Sequence, residues 1–304
     1  MSFNAVVFPG QGAQKQGMAR DFMDKYPEAA AVFESANQVL DFDIYAICHE
    51  DSELLNQTNY TQPCILTAEI AMFRALQAHH DLTADYFAGH SLGEYAALVA
   101  ADVMSFETAL NIVARRGELM NRADESGAMA AVIMDEIDLD TIGQIAEQHD
   151  IDVANDNSAQ QVVLSGRSQE LDKTLEALAS VFEGQKFRAV PLTVSAAFHS
   201  RWMRPIENEF HEFLLEYADY INEDNLPRVA SNYLGEFYLA DRLQLIESLA
   251  KQLSGTVKWR ANMNLLKDKK ILELGPNRPL RGFFKTIGVD ITSVINLKSA
   301  GKAF

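Results

Sequence analysis

The stretch that most restricts this chain is Gly89-His90-Ser91-Leu92-Gly93, set between an apolar run ending in Tyr86-Phe87-Ala88 and the small-residue run Tyr95-Ala96-Ala97-Leu98-Val99-Ala100-Ala101. A strand, a sharp turn and a helix around G-x-S-x-G form a nucleophile elbow. Small residues on both sides of the serine let the backbone bend tightly and push the hydroxyl outward. Ser91 is therefore the candidate nucleophile. A helix starting at Leu92 also leaves its first N–H groups unpaired at its positive end, where an oxyanion growing beside Ser91 would be stabilised. The same residues fit a plain glycine-punctuated turn in which Ser91 only caps the helix, so the surroundings must decide.

At 304 residues, with 48 % hydrophobic and 23 % charged side chains, the chain reads as globular, of one domain or two, with no low-complexity stretch. The N-terminus runs directly into Phe3-Asn4-Ala5-Val6-Val7-Phe8, and no apolar run reaches the roughly 18 residues of a spanning helix. A cytoplasmic protein that does not enter membranes is expected. Cys48 and Cys64 are too few for a disulfide framework or a zinc site, and the seven histidines lack metal-ligand spacing. No metal is expected. The net charge of −17 argues against nucleic acid as a partner. Residues 251–285 depart from that balance, with nine Lys/Arg against Asp268 and Glu273. They form either solvated helix faces or a basic face on an acidic body.

Along the chain, a first strand stops at Pro9-Gly10-Gln11-Gly12, whose backbone can approach whatever lies above it. Helical periodicity follows over 16–40, broken at Pro27, and over 63–78. In 106–120, Ala109, Leu110, Ile112, Val113, Leu119 and Met120 share a face; Arg116 lies near its middle and Arg115 at its edge. An inward guanidinium cannot lose its proton and needs an anion, from a neighbouring carboxylate or from a ligand. Residues 127–195 read as strand, helix, strand, strand, helix, strand, the order of a ferredoxin-like unit. Strands near 229–231, 271–274 and 291–295, separated by helices, then resume a mostly parallel sheet. The fold expected is α/β: an α/β-hydrolase-like core from 1–126 and 199–304, with an inserted ferredoxin-like (βαββαβ) subdomain at 127–198. The tail 297–304 lacks periodicity and reads as linker or disordered.

A serine nucleophile needs a base. His199, in Ser195-Ala196-Ala197-Phe198-His199-Ser200, closes the inserted unit at the joint between domains and is the leading candidate. His90 abuts Ser91 but points away from it at an elbow, which suits a brace.

With these residues in view, the chain resembles the malonyl-CoA:acyl carrier protein transacylases of fatty acid synthesis and the stand-alone acyltransferases of polyketide synthases. The likeness rests on F-P-G-Q-G-A-Q at the start, T-Q-P at 61–63, G-H-S-L-G-E-Y at 89–95, R-G-E-L-M at 116–120, N-S-A-Q-Q-V-V-L-S-G at 157–166, F-H-S-R-W-M at 198–203, V-K-W at 257–259 and E-L-G-P at 273–276. It implies an acyl ester on Ser91 with His199 as base, and an oxyanion hole from the backbone N–H groups of Gln11 and Leu92. It further implies that a main-chain carbonyl at Gln252 orients the histidine and that Arg116 pairs with the malonyl carboxylate. Phe198 matches a malonyl-selecting aromatic, and Gln62 and Asn157 match residues close to the family's active site, where core hydrogen bonding accounts for them nearly as well.

The substrate implied is malonyl-CoA, the acceptor the phosphopantetheine thiol of an acyl carrier protein, and no cofactor is permanently bound. A monomer is expected. Docking of an acidic carrier on the basic face predicts that reversing Lys267, Lys269 and Lys270 raises the carrier KM. A hydrolase on the same scaffold and a non-catalytic docking module are the competing readings; the inward Arg116 argues against the first, and retention of serine, histidine and arginine together against the second.

Overall fold

Every residue of the first strand, β1 (Ala5–Phe8), is buried, so it shows no polar alternation. Val6 and Phe8 enter one apolar cluster while Ala5 and Val7 enter another, as expected of a parallel strand covered on both faces. The computed structural model describes residues 3–50, 53–123 and 126–304. In it β1 pairs in parallel with β2 (Tyr86–Gly89) on one side and with a strand at Ile271–Leu274 on the other. A last strand, Thr292–Val294, pairs beyond that one, also in parallel. Helices cover the sheet, among them the buried Thr58–His80 and the small-residue Gly93–Ala100.

Between these strands the chain builds a second sheet from β3 (Gly127–Ile133), β4 (Asp152–Ser158), β5 (Gln161–Arg167) and β6 (Arg188–Pro191). Its order is β4-β5-β3-β6 and every pair is antiparallel. With helices Leu139–Glu147 and Ser168–Val181 this is the ferredoxin-like order. Val132, Ile142, Leu164 and Leu178 belong to an apolar cluster of its own. The strands at Ile271–Leu274 and Thr292–Val294 are thus β7 and β8, and the first sheet has the order β2-β1-β7-β8. The second sheet is tied to the rest of the chain where the Val257 N–H donates to the Ala154 carbonyl of β4 and the Asp156 N–H to that of Val257, at 2.8 and 3.0 Å.

Four expectations change. The stretch 229–231 forms only isolated bridges, Val229 to Phe87 and Ala230 to Phe237, because the chain turns back at Ser231, whose N–H reaches the Glu236 carbonyl. The helix expected from Pro63 starts at Thr58, with the proline inside it, one backbone bond forfeited. The tail forms a helix, Leu297–Ala303, fixed by an Asn296/Ser299 capping box and by Asp21, which accepts from the Leu297 N–H. Seven residues are too few to display a period.

The fourth correction concerns the basic face. Lys270 accepts from the N–H groups of Asn4 and Ala5, and the Lys269 ammonium lies 3.9 Å from the Tyr86 ring centroid. Both therefore sit at the N-terminal ends of the parallel strands, with Lys267 in the turn just before, whereas Ser91 follows the C-terminal end of β2. The cluster is split by the length of the sheet. Arg278, past the C-terminal end of β7, instead joins Arg281, Lys298 and Lys302 around a cleft of about 440 Å³ that holds one acid, Asp290.

Candidate active site

The elbow is set by contacts that exclude any side chain at its glycines. A Cβ on Gly89 would lie 1.9 Å from the Gly93 backbone, and one on Gly93 would lie 2.3 Å from the Phe8 carbonyl oxygen. Ser91 is held at φ 51°, in the left-handed region where a non-glycine residue is strained. Asn232 braces that conformation: its Oδ1 accepts from the Ser91 N–H at 2.6 Å and its Nδ2 donates to the Gly89 carbonyl at 2.7 Å.

The two readings of the turn are now separable. The helix Gly93–Ala100 has no side-chain cap, and the Ser91 Oγ lies 2.7 Å from His199 Nε2. His199, also at positive φ, is pinned by its N–H to the Leu253 carbonyl at 3.0 Å and by Nδ1 to the Gln252 carbonyl at 2.7 Å. A carbonyl only accepts, so Nδ1 carries the proton and the Nε2 lone pair faces the serine. Burial, and after it the Arg116 charge, push the His199 pKa down to about 3, so the imidazole is neutral at physiological pH.

Arg116 is 1 % exposed and projects from the helix Phe106–Asn121 as its periodicity predicts. Its partners are Gln62 Oε1 at 2.7 Å, Gln252 Oε1 at 3.0 Å and Ser91 Oγ at 3.1 Å, while its Nε has none among the described residues. All three acceptors are neutral. Arg115, at the edge of that face, pairs with Glu118 and Glu209 near the surface. Gln252 does double duty, since its side-chain Nε2 also donates to the Ser91 carbonyl at 3.2 Å and to Glu94 Oε2 at 2.6 Å.

Among the remaining expected residues, the backbone N–H groups of Gln11 and Leu92 make no hydrogen bond among the described residues. The Gln11 side chain reaches Thr58 Oγ1. Phe198 is buried beside His199 in the larger core. Asn157 stands apart, for its amide is spent on His90 Nε2 at 2.7 Å and Gln161 at 3.1 Å. It braces the elbow from behind instead of meeting Ser91, His199 or Arg116. No group of three His, Cys, Asp or Glu among the described residues could hold a metal, and no helix there is long and apolar enough to cross a membrane.

Sequence reasoning missed Glu94 and Asn232. Glu94 is 1 % exposed; it accepts from the Tyr238 hydroxyl, from Gln252 and from the Asn232 N–H. Burial pushes its pKa up to about 7 against the pull of these bonds and of Arg116. Its one visible signal was a charge opening an otherwise apolar helix.

On an α/β core, a strained elbow hydroxyl, a neutral imidazole facing it and unspent N–H groups at Leu92 and Gln11 form an arrangement that can take up and pass on an acyl group. The chain belongs to the acyl transferase domain family, whose pattern matches residues 5–259, and within it to the malonyl CoA-acyl carrier protein transacylases. It is 36 % identical over 290 residues to the polyketide biosynthesis malonyl CoA-acyl carrier protein transacylase PksC of Bacillus subtilis, covering 93 % of this chain and 96 % of that one. It is 38 % identical over 312 residues to the malonyl CoA-acyl carrier protein transacylase of Staphylococcus aureus, covering 98 % and 97 %. A solved malonyl-transacylase in complex with its type II polyketide synthase acyl carrier protein superposes with a TM-score of 0.91 at 31 % identity, over 99 % of this chain and 98 % of that one.

Proposed function

We propose that this enzyme moves a malonyl group from malonyl-CoA to the phosphopantetheine thiol of an acyl carrier protein through an ester on Ser91. His199 Nε2 takes the proton as the Ser91 Oγ attacks the thioester carbonyl. The oxyanion is received by the N–H groups of Gln11 and Leu92, each such donor contributing about 10²- to 10³-fold in rate. The imidazolium returns its proton to the departing CoA sulfur. In the second half-reaction His199 takes a proton from the carrier thiol, the sulfur attacks the ester, and the proton returns to Ser91. The carrier leaves as a malonyl thioester.

The observation that carries the malonyl reading is Arg116: buried, 3.1 Å from the nucleophile, bonded only to neutral acceptors and with Nε unspent. A planar guanidinium so placed recognises a carboxylate by paired bonds, and an uncharged acyl group leaves it unanswered. The test is intact-mass measurement after mixing with malonyl-CoA. One malonyl ester should persist until holo carrier protein is added and then disappear onto the carrier. Rapid release of free malonate, with no ester passed on, overturns transfer in favour of hydrolysis.

Docking of the carrier is assigned to the cleft of Arg278, Arg281, Lys298 and Lys302. It lies beside β8, three strand spacings of about 4.8 Å each from β2. Arg281 is already paired with Asp290, which leaves Arg278, Lys298 and Lys302, of which the first two are the cations to reverse. Arg278→Glu with Lys298→Glu should raise the carrier KM about tenfold and leave that for malonyl-CoA nearly unchanged. Reversing Lys267, Lys269 and Lys270 should move neither. The opposite pattern in steady-state kinetics would return docking to the far end of the sheet.

A further inference from the structure

A guanidinium buried without a carboxylate against it must have its charge balanced from further away. Around Arg116 that balance comes through Gln252, whose Oε1 accepts from the guanidinium at 3.0 Å while its Nε2 donates to Glu94 at 2.6 Å. One amide thus separates a buried cation from a buried anion and holds both.

The other groups facing Glu94 come from every side. Tyr238 and Asn232 bond it from the segment after 229, and Tyr95 is its neighbour on the same helix, under Arg116 at 5.6 Å from the ring centroid. His199 stands beyond Gln252, bonded to the backbone carbonyl of that residue. Among the described residues Arg116 is the one cation whose charge acts on Glu94.

We propose that Glu94 is the resident counter-charge of Arg116, and that it takes up a proton from solvent when the carboxylate of a bound acyl group pairs with that guanidinium. Glu94 is a positioning residue, since it acts through Gln252 and Arg116 without touching the acyl group. The inference rests on the malonyl reading above. Its physical basis is that two carboxylates and one cation enclosed away from water cannot all stay ionised: the incoming carboxylate takes the direct bonds, Glu94 loses the charge that kept it ionised, and the neutral acid is favoured. Recognition of an anionic acyl group becomes an exchange of one anion for another. A neutral acyl group leaves the Glu94–Arg116 arrangement as it was.

His199 is also relieved of the Arg116 charge when a carboxylate binds, so its proton affinity rises too. It starts from about 3, and burial still holds it below the ordinary histidine value of about 6.5. Uptake by His199 is therefore confined to acid pH. Glu94 starts at about 7, so its uptake is on the order of half a proton at neutral pH and approaches one above it.

The test is calorimetric titration of Ser91→Ala, which binds without being acylated, in pairs of buffers of different ionisation enthalpy from about pH 5 to 9. Malonyl-CoA should take up a proton fraction that acetyl-CoA does not, greatest between about pH 7 and 8.5. Adding Glu94→Gln should remove that difference and keep malonyl-CoA binding. Equal proton counts for the two ligands, or a difference that survives Glu94→Gln, overturn the proposal. If Glu94→Gln does not fold, the pH of greatest uptake in Ser91→Ala decides: a maximum below about 6.5 assigns the proton to His199 and overturns it. Failure of malonyl-CoA to bind at all overturns the malonyl reading itself, and this inference with it.

Discussion

Replacing His199 by alanine is expected to slow single-turnover malonylation of Ser91 by about 10³-fold or more, while malonyl-CoA binding changes little. Among the described residues the imidazole is the one base within bonding distance of the Ser91 Oγ, at 2.7 Å, and a positioned general base contributes about 10² to 10⁴ in rate. Arg116 and Gln62, the groups proposed to meet the acyl carboxylate, keep the bond between them. The pH dependence gives a second reading of the same residue. An exposed histidine base would switch off as pH falls through about 6.5. Here burial and the Arg116 charge push the folded value down to about 3, so the base stays neutral through that range. The acid limb of kcat/KM, which reports the free enzyme, should therefore lie well below 6. Rapid-quench measurement checks both points; a limb centred near 6.5, or a His199→Ala rate within tenfold of the parent, would remove His199 from the role.

The parts of this site that were legible in the sequence are those whose constraint is local. Gly89 and Gly93 announce the elbow because backbone passes within 2.5 Å of where their side chains would begin. Arg116 is legible because a helix repeats every 3.6 residues, so a cation on the apolar face points inward whatever the helix packs against. The alternating strand and helix patterns of 127–191 are likewise a property of the segment itself. Glu94 and Asn232 were hidden for the opposite reason. Asn232 reaches the Ser91 backbone from 141 residues away, and nothing near it in the chain distinguishes it from a surface turn residue. Glu94 at the first turn of a helix is the ordinary place for an acid; only the fold, which closes Tyr238 and Gln252 over it, makes it a buried charge. The lysines at 267–270 show the converse limit: a run of cations in the sequence does not say which end of a sheet it decorates, and four residues of parallel strand put these at the opposite end from the serine.

Replacing Arg116 by methionine, which keeps much of the length and none of the charge, is expected to reverse acyl selectivity. Removing one partner of a buried ion pair costs about 3–5 kcal/mol, so kcat/KM for malonyl-CoA should fall on the order of 10²- to 10⁴-fold. For acetyl-CoA it should rise, because the neutral group no longer strands a buried cation. Two further effects follow from the contacts of the guanidinium. The cation that depresses His199 is gone, so its pKa moves up towards the ordinary value and the acid limb of the profile moves with it. Glu94 loses its counter-charge and is protonated at neutral pH even with the site empty, so no proton uptake should accompany ligand binding. Gln62 and Gln252 each lose a donor, yet Gln252 keeps its bonds to Glu94 and to the Ser91 carbonyl, so the elbow and the histidine-orienting carbonyl should hold. A competition assay with both thioesters separates this account from simple damage. Damage lowers both rates together, whereas loss of a charge partner drives them in opposite directions. A uniform fall in the two would show that Arg116 supports the architecture of the site and does not read the acyl group.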